Sequence, residues 1–178
     1  INNGFQGPML WFALGVFFSL GGDVFLMLPR EQFILGLISF LLGHVCYLIG
    51  FNSTGLFFNF PLAIVILVVV AAASQIYLKI SAGLRASKKD SLRIPVFVYT
   101  IVISLMLISA LATLIRPDWR FSAAAIASSG ALLFFISDTL LAWNRFVKPL
   151  PRGRLYSIIP YHLGQIGIVL GAALYFLQ

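Results

Sequence analysis

Charge is what this sequence has least of. Only 10% of its 178 residues are Asp, Glu, Lys or Arg, and only five are acidic. A soluble domain carries about 25% charged residues, so a water-soluble globular domain is excluded. Cysteine is almost absent too. The single thiol, Cys46, rules out a disulfide framework and a paired-thiol metal motif, and its place in an apolar run fits a small core residue. There is no Gly-x-Ser-x-Gly elbow, no His-Glu-x-x-His pair and no phosphate-cradling glycine loop, which removes the enzyme classes built on them. Asp23, Asp138, His44 and His162 are suitable metal ligands by type, but they lack the close spacing of a metal motif, so no metal and no cofactor is expected.

What the chain does have is hydrophobic length. Hydrophobic residues make up 61% of it and its mean hydropathy is +1.03. Six runs, at about 9–28, 33–51, 61–84, 94–115, 121–144 and 156–176, each approach the ~20 residues that cross a ~30 Å hydrocarbon layer. They are too long and continuous for the strands of a barrel, and backbone in lipid must satisfy its own hydrogen bonds, so the expected fold is an all-α transmembrane bundle forming one domain. Proline agrees with this division. Pro61 and Pro95 open two spans, where a missing N–H costs little, while Pro29, Pro117 and Pro149 fall in turns. The first run lacks a basic flank and contains Asp23, so it reads as a true span and not as a signal peptide.

The formal charge of +7 would suggest nucleic acid in a soluble protein. Here its distribution has another meaning. Ten of the twelve basic residues, running from Arg30 to Arg154, fall on one side of the six-span topology, and only Arg116 and Arg120 fall on the other. By the positive-inside rule the ten face the cytoplasm, which puts Ile1 and Gln178 outside. The partner expected is membrane lipid, with no nucleic acid; oligomeric state is not legible.

Two acids, Asp23 and Asp138, lie within apolar spans, where an ionised carboxylate costs on the order of 2.5 to 3.5 kcal/mol even on a lenient scale. Aligning them reveals an internal repeat. Gly22-Asp23 pairs with Ser137-Asp138, Arg30 falls on Arg145, and the stretch from Leu42 to Gly50 matches that from Leu163 to Gly171. Two hairpins of equal orientation would follow, related by an axis along the membrane normal, with two further helices ahead of Ile1 completing a four-plus-four arrangement. At ~1.5 Å per residue, Asp23, Asp138 and His162 share one layer roughly 8 to 9 Å deep, with Gln165, Gln75, His44 and Tyr99 in the same half of the membrane. Helical phase groups Tyr161, His162 and Gln165 on one face and Gly164, Gly167 and Gly171 on another; His44 and Tyr47 share a face, and Gly15, Ser19, Gly22 and Asp23 form a small-residue stripe.

Two carboxylates in a partly desolvated cavity suit acid–base work. One acid can protonate a substrate while the other carboxylate stabilises an oxocarbenium ion or activates water, the logic used on acetals. They equally suit a proton-coupled carrier of small molecules or lipid, and a non-enzymatic scaffold is a third reading. Arg30 and Arg145, each seven positions beyond its aspartate, could meet a lipid phosphate at headgroup level.

Taken together, Gly22-Asp23, Leu28-Pro29-Arg30, the Phe40 to Tyr47 stretch with His44, Phe135-Ile136-Ser137-Asp138 and Tyr161-x-x-x-Gln165 resemble the YhhN-like lysoplasmalogenase family over the whole chain. The resemblance implies an eight-helix protein of which this chain carries six. It also implies a membrane hydrolase that cleaves the vinyl ether bond of lysoplasmalogens, giving a fatty aldehyde and glycerophospho-ethanolamine or glycerophosphocholine. Asp23 and Asp138 would be the catalytic pair, with His44, Tyr47, Tyr161, His162, Gln165, Arg30 and Arg145 in support. The chain departs from the family at His162, where a second tyrosine is common.

Overall fold

A computed structural model describes residues 7–28 and 32–177. Arg30 therefore lies outside the described residues, as does Pro29. Six helices follow one another: α1 (Pro8–Met27), α2 (Phe33–Phe51), α3 (Phe60–Ala86), α4 (Arg93–Ala112), α5 (Phe121–Phe146) and α6 (Gly153–Phe176). All six are long and apolar enough to cross a membrane, and among the described residues there is no strand. The chain is a multi-pass membrane protein whose side faces carry large exposed apolar groups such as Phe17, Leu67 and Ile94.

Helix boundaries follow local chemistry. Asn59 caps α3 by accepting from the Leu62 amide at 2.9 Å, and Pro61 occupies the first turn, where no N–H is needed. α4 gives way at Ala112 to a tight 3-10 turn over Thr113–Ile115, so its α-helical part stops short of the apolar run. α5 and α6 instead run beyond theirs. Because α6 starts at Gly153, Pro160 falls inside it, where the ring removes one backbone donor.

The expected repeat is visible in packing. Gly43 of α2 sits so close to α1 that an added Cβ would lie 3.0 Å from Ser19 Oγ and 3.1 Å from the Gly15 carbonyl. Gly164 of α6 sits on α5 in the same way, 2.9 Å from the Gly130 carbonyl and from the Phe134 amide. The alignment that carries Asp23 onto Asp138 also carries Gly15 and Ser19 onto Gly130 and Phe134. Likewise Gly50 packs on Phe12, as Gly171 packs on the equivalent Ala127. Without a hydrophobic force between helices in lipid, such close backbone approach is what holds them together. Buried serines add to it: Ser39 donates to the Phe18 carbonyl, Ser128 to Ala110 and Ser137 to Ser157, each at 2.7 Å.

The two hairpins, α1–α2 and α5–α6, face each other, with α3 and α4 completing the bundle against α2 and α5. Fully buried Phe12, Tyr47, Met106, Phe134 and Ile168 fill the centre. The turns after α1, α3 and α5 define a basic end, and those after α2 and α4 the opposite end.

Candidate functional site

Asp23 stands about one turn from the basic end of α1, and Asp138 about two turns from that of α5. The extra length of α5 and α6 spreads the expected single layer: measured along their own helices, Asp23 is ~6 Å, Asp138 ~12 Å and His162 ~13 Å from the end.

Each carboxylate is held from the opposite hairpin. The Tyr161 hydroxyl on α6 donates to Asp23 Oδ2 at 2.6 Å. Asp138 Oδ2 accepts from the Tyr99 hydroxyl on α4 and lies 3.3 Å from His44 Nε2 on α2, while that same nitrogen is 2.9 Å from the Tyr99 oxygen. With Tyr99 donating to Asp138, the proton of His44 belongs on Nε2, shared between the two oxygens. His44 is fully buried, and its Nδ1 has no hydrogen-bond partner among the described residues. A third bond across the hairpins runs from the Tyr47 hydroxyl to Gln165 Oε1. The ring of Phe134 lies at the centre, 4.7 Å from His44 and 5.2 Å from Tyr161 between centroids, and keeps the two polar chains apart.

Neither Asp23 nor Asp138 is paired with lysine or arginine among the described residues. Their neighbours are tyrosine hydroxyls and, at Asp138, an imidazole, which orient each carboxyl group and favour its ionised form less than a paired guanidinium or ammonium would. The surroundings of the two acids also differ. A narrow cavity of about 70 Å³ is lined by Asp138 and Tyr99 but not by Asp23. Most of the rest of its wall is apolar, from Leu26 of α1 and from α2 to α5, including Phe33, Phe40, Ile80, Ile103 and Phe146, with Thr100 and Thr139 as further polar groups.

Of the residues singled out by sequence, Asp23, Asp138, His44, Tyr47, Tyr161 and Gln165 come together. His162 lies at the margin of the cluster: its ring is 5.0 Å from that of Tyr161 between centroids, but it is exposed, with Nδ1 against the Ile158 carbonyl at 3.0 Å, because buried Tyr161 and Gly164 set the packed face of α6. Gln75 is likewise exposed on α3, outside the cluster. Arg145 lies at the basic end, its guanidinium 4.3 Å from the Phe33 ring centroid. Tyr99 is the residue that sequence reasoning undervalued. Its place one turn inside an apolar span was the only signal, and tyrosines in such places are common at membrane interfaces.

The YhhN family model matches residues 2–172. Among curated proteins, the chain is similar to "Lysoplasmalogenase TMEM86A" of Homo sapiens, 33% identical over 162 residues that cover 89% of this chain and 63% of that protein. It is similar to "Lysoplasmalogenase TMEM86B" of Sus scrofa, 32% identical over 168 residues covering 94% and 62%. A "Lysoplasmalogenase" of Mycobacterium bovis is 27% identical over 143 residues, covering 77% and 50%. The chain thus spans less than two thirds of the length of these relatives. No solved structure matches it.

Proposed function

The chain belongs to the YhhN family, and from that premise we propose that it carries the carboxylate machinery of a membrane-embedded lysoplasmalogen hydrolase. The observation that carries this reading is the pair of crossed carboxylates. Asp23 is held by Tyr161 of α6, Asp138 by Tyr99 of α4 and His44 of α2, and Asp138 borders a narrow apolar cavity.

A vinyl ether hydrolyses by rate-limiting protonation at carbon. One carboxyl group delivers its proton to the alkenyl carbon beyond the one bonded to oxygen, and the electron pair of the double bond forms the new C–H bond. An oxocarbenium ion results. The second carboxylate stabilises this cation and takes a proton from the water that adds to it. The hemiacetal so formed collapses to a fatty aldehyde and the freed glycerol hydroxyl, with one water consumed. Asp138, on the cavity wall, is the better placed to meet the alkenyl carbon; its Oδ2 is engaged by Tyr99 and His44, leaving Oδ1 for the substrate. Asp23, held by Tyr161, is then the partner that orients water. Gln165 and Tyr47 keep the two hairpins in register.

Relatives named for hydrolysis support this reading over a proton-coupled carrier built on the same acids. Orientation follows from charge. The basic end faces the cytoplasm and the site opens toward that side, the ends of this chain lying opposite. The test is aldehyde release from lysoplasmalogen by the purified protein in detergent, without any proton gradient, beside Asp23→Asn and Asp138→Asn. Full activity in both variants, inserted and folded normally, would sink the carboxylate mechanism.

A further inference from the structure

The internal repeat keeps the two acids and changes what stands beside them. The alignment that lays Asp23 on Asp138 lays Ser19 on Phe134, and that of α2 on α6 lays His44 on Gln165 and Tyr47 on Ile168. One set, Phe134 and Ile168 with His44, has two fully buried apolar members. The other set, Ser19, Tyr47 and Gln165, is polar throughout.

That polar set lies one turn beyond Asp23. α1 and α6 run antiparallel, so four residues back along α1 from Asp23 and four on along α6 from Tyr161 lead to one depth, about 6 Å farther from the basic end. The first rung is the bond from Tyr161 to Asp23 at 2.6 Å; Ser19 and Gln165 occupy the second. Tyr47 joins this rung from α2. Its ring takes the place of a side chain at Gly15, one turn along α1 from Ser19, and its hydroxyl donates to Gln165 Oε1. Gly43, one turn before Tyr47, brings α2 so near that an added Cβ would lie 3.0 Å from Ser19 Oγ. Ser19 Oγ and Gln165 Nε2 are buried without a hydrogen-bond partner among the described residues, and the Tyr47 oxygen, its proton engaged by Gln165, can still accept. Ser19 is 1% exposed and Tyr47 0%. Buried polar groups are almost always hydrogen-bonded, and donors and acceptors on adjoining side chains, with no charge among them, suit a small neutral molecule that both donates and accepts.

We propose that Ser19, Tyr47 and Gln165 bind a water molecule, and that this is the water added in the reaction, held one turn from Asp23, which takes its proton. The repeat then divides the labour between the acids. Beside Asp138 the place equivalent to Ser19 is filled by the Phe134 ring, 4.7 Å from that of His44, so the acid that protonates carbon stands on a dry side and the acid that activates water on a wet one. The water site stands on the geometry of the hairpins; its role as nucleophile rests on the hydrolase reading.

Two measurements on the purified protein in detergent test this. Hydroxyl radicals made by brief X-ray exposure label side chains next to bound water, and Tyr47 should be labelled about tenfold faster than Met106, which is equally buried. Ser19→Ala and Gln165→Leu should each lower that labelling severalfold. The second measurement follows the nucleophile. In a water–methanol mixture, methanol can add through its oxygen to the oxocarbenium carbon, lose its proton to Asp23 and leave a methyl acetal in place of aldehyde. With its water held, the wild-type protein should give about tenfold less acetal per aldehyde than acid hydrolysis gives in the same mixture, and both variants should approach the acid ratio. A product ratio does not depend on how much of a variant folds. Tyr47 labelling as slow as that of Met106, or labelling that persists in both variants, would overturn the water site. A wild-type acetal ratio equal to that of acid hydrolysis would overturn its role as the source of the nucleophile. Water-dependent labelling of Tyr47 in a protein that releases no aldehyde would sink the hydrolase reading alone and leave the water site standing.

Discussion

Two polar clusters sit at opposite ends of this bundle, and they are built on opposite principles. At the end away from the basic turns, Arg116 is buried, and it satisfies nearly everything around it. It donates to Asp118 through Nε at 3.1 Å and Nη2 at 2.8 Å, to the carbonyls of Phe51 and Gly55 at 3.3 and 3.1 Å, and to the Thr54 hydroxyl. Tyr175 completes the latch by donating to Asp118 at 2.8 Å, and its ring stacks on Trp119 at 4.1 Å. The latch ties the turns after α2 and α4 to the end of α6. Asp23 and Asp138 receive nothing comparable: hydroxyls and an imidazole orient them, and no guanidinium or ammonium neutralises them among the described residues. A carboxylate whose purpose is to hold the fold is given a cation. A carboxyl group proposed to gain and lose a proton is better served by hydroxyl donors, which favour the ionised form less than a cation does.

The sharpest way to break this contrast is to neutralise each acid in turn. Asp138→Asn and Asp23→Asn should each lower aldehyde release by about 10² to 10⁴-fold, the usual contribution of a positioned acid or base. Their thermal unfolding in detergent should hardly change, since the amide keeps the shape and a hydrogen-bond acceptor. Asp118→Asn should do the reverse, lowering thermal stability while activity per folded molecule stays near wild type. If Asp118→Asn abolished activity at full stability, the assignment of roles to the two ends would be wrong.

Next in size is the removal of the latch cation. Arg116→Ala would leave Asp118 and two carbonyls without their partner. Breaking a fully buried pair costs about 3–5 kcal/mol, and because Asp118 is 38% exposed, a loss of about 2–3 kcal/mol is expected. The Arg116 guanidinium beside Asp118 lowers its pKa to about 2, from an ordinary 3.8. With the folded value below the unfolded one, this group's contribution is fully present above about pH 4 and is lost as pH falls toward 2. Thermal stability scanned from pH 6 downward should therefore show a drop in that window, and the drop should be absent in Arg116→Ala. A smaller effect is expected at Tyr99. Tyr99→Phe removes the hydroxyl held between His44 and Asp138 and should lower kcat/KM about tenfold, the worth of one buried hydrogen bond, without loss of stability. An unchanged kcat/KM would remove Tyr99 from the site.

How much of this could be read from sequence divides along the same line. The six spans, the two aspartates within them and the glycine faces were legible because apolar length, a charge inside it and small-residue spacing are local signals; which side chains hold each aspartate was not. The repeat was legible because Gly43 and Gly164 must each meet a helix that is also repeated. The exposure of His162 was not legible, because phase within one helix fixes relative angle but not which side packs; Gly164 and Tyr161 decide that, and they leave His162 at the margin. The latch was invisible, since Arg116 looked like one of two stray charges on the poorer side of the bundle. Nothing local announces that Phe51, Gly55 and Tyr175, which are distant in sequence, converge on it.

The smallest expected effect tests how the two ends are held at their turns. Four described residues have positive φ: Gly7 and Gly55 at the latch end, Lys88 and Arg152 at the basic end. Glycine adopts this conformation freely, whereas a side chain there costs roughly 1 kcal/mol. Where the turn has only to turn, the chain uses glycine; at the basic end it keeps a cation and accepts the strain. Lys88→Gly should therefore raise stability by about 0.5–1 kcal/mol, seen as a higher midpoint of thermal unfolding in detergent, and should leave aldehyde release unchanged because Lys88 lies outside the carboxylate cluster. A stabilised variant that inserts with reduced fidelity would show why lysine is kept there. A destabilised one would mean that Lys88 makes contacts worth more than the strain, and the contrast between the two ends would then be one of packing and not of charge.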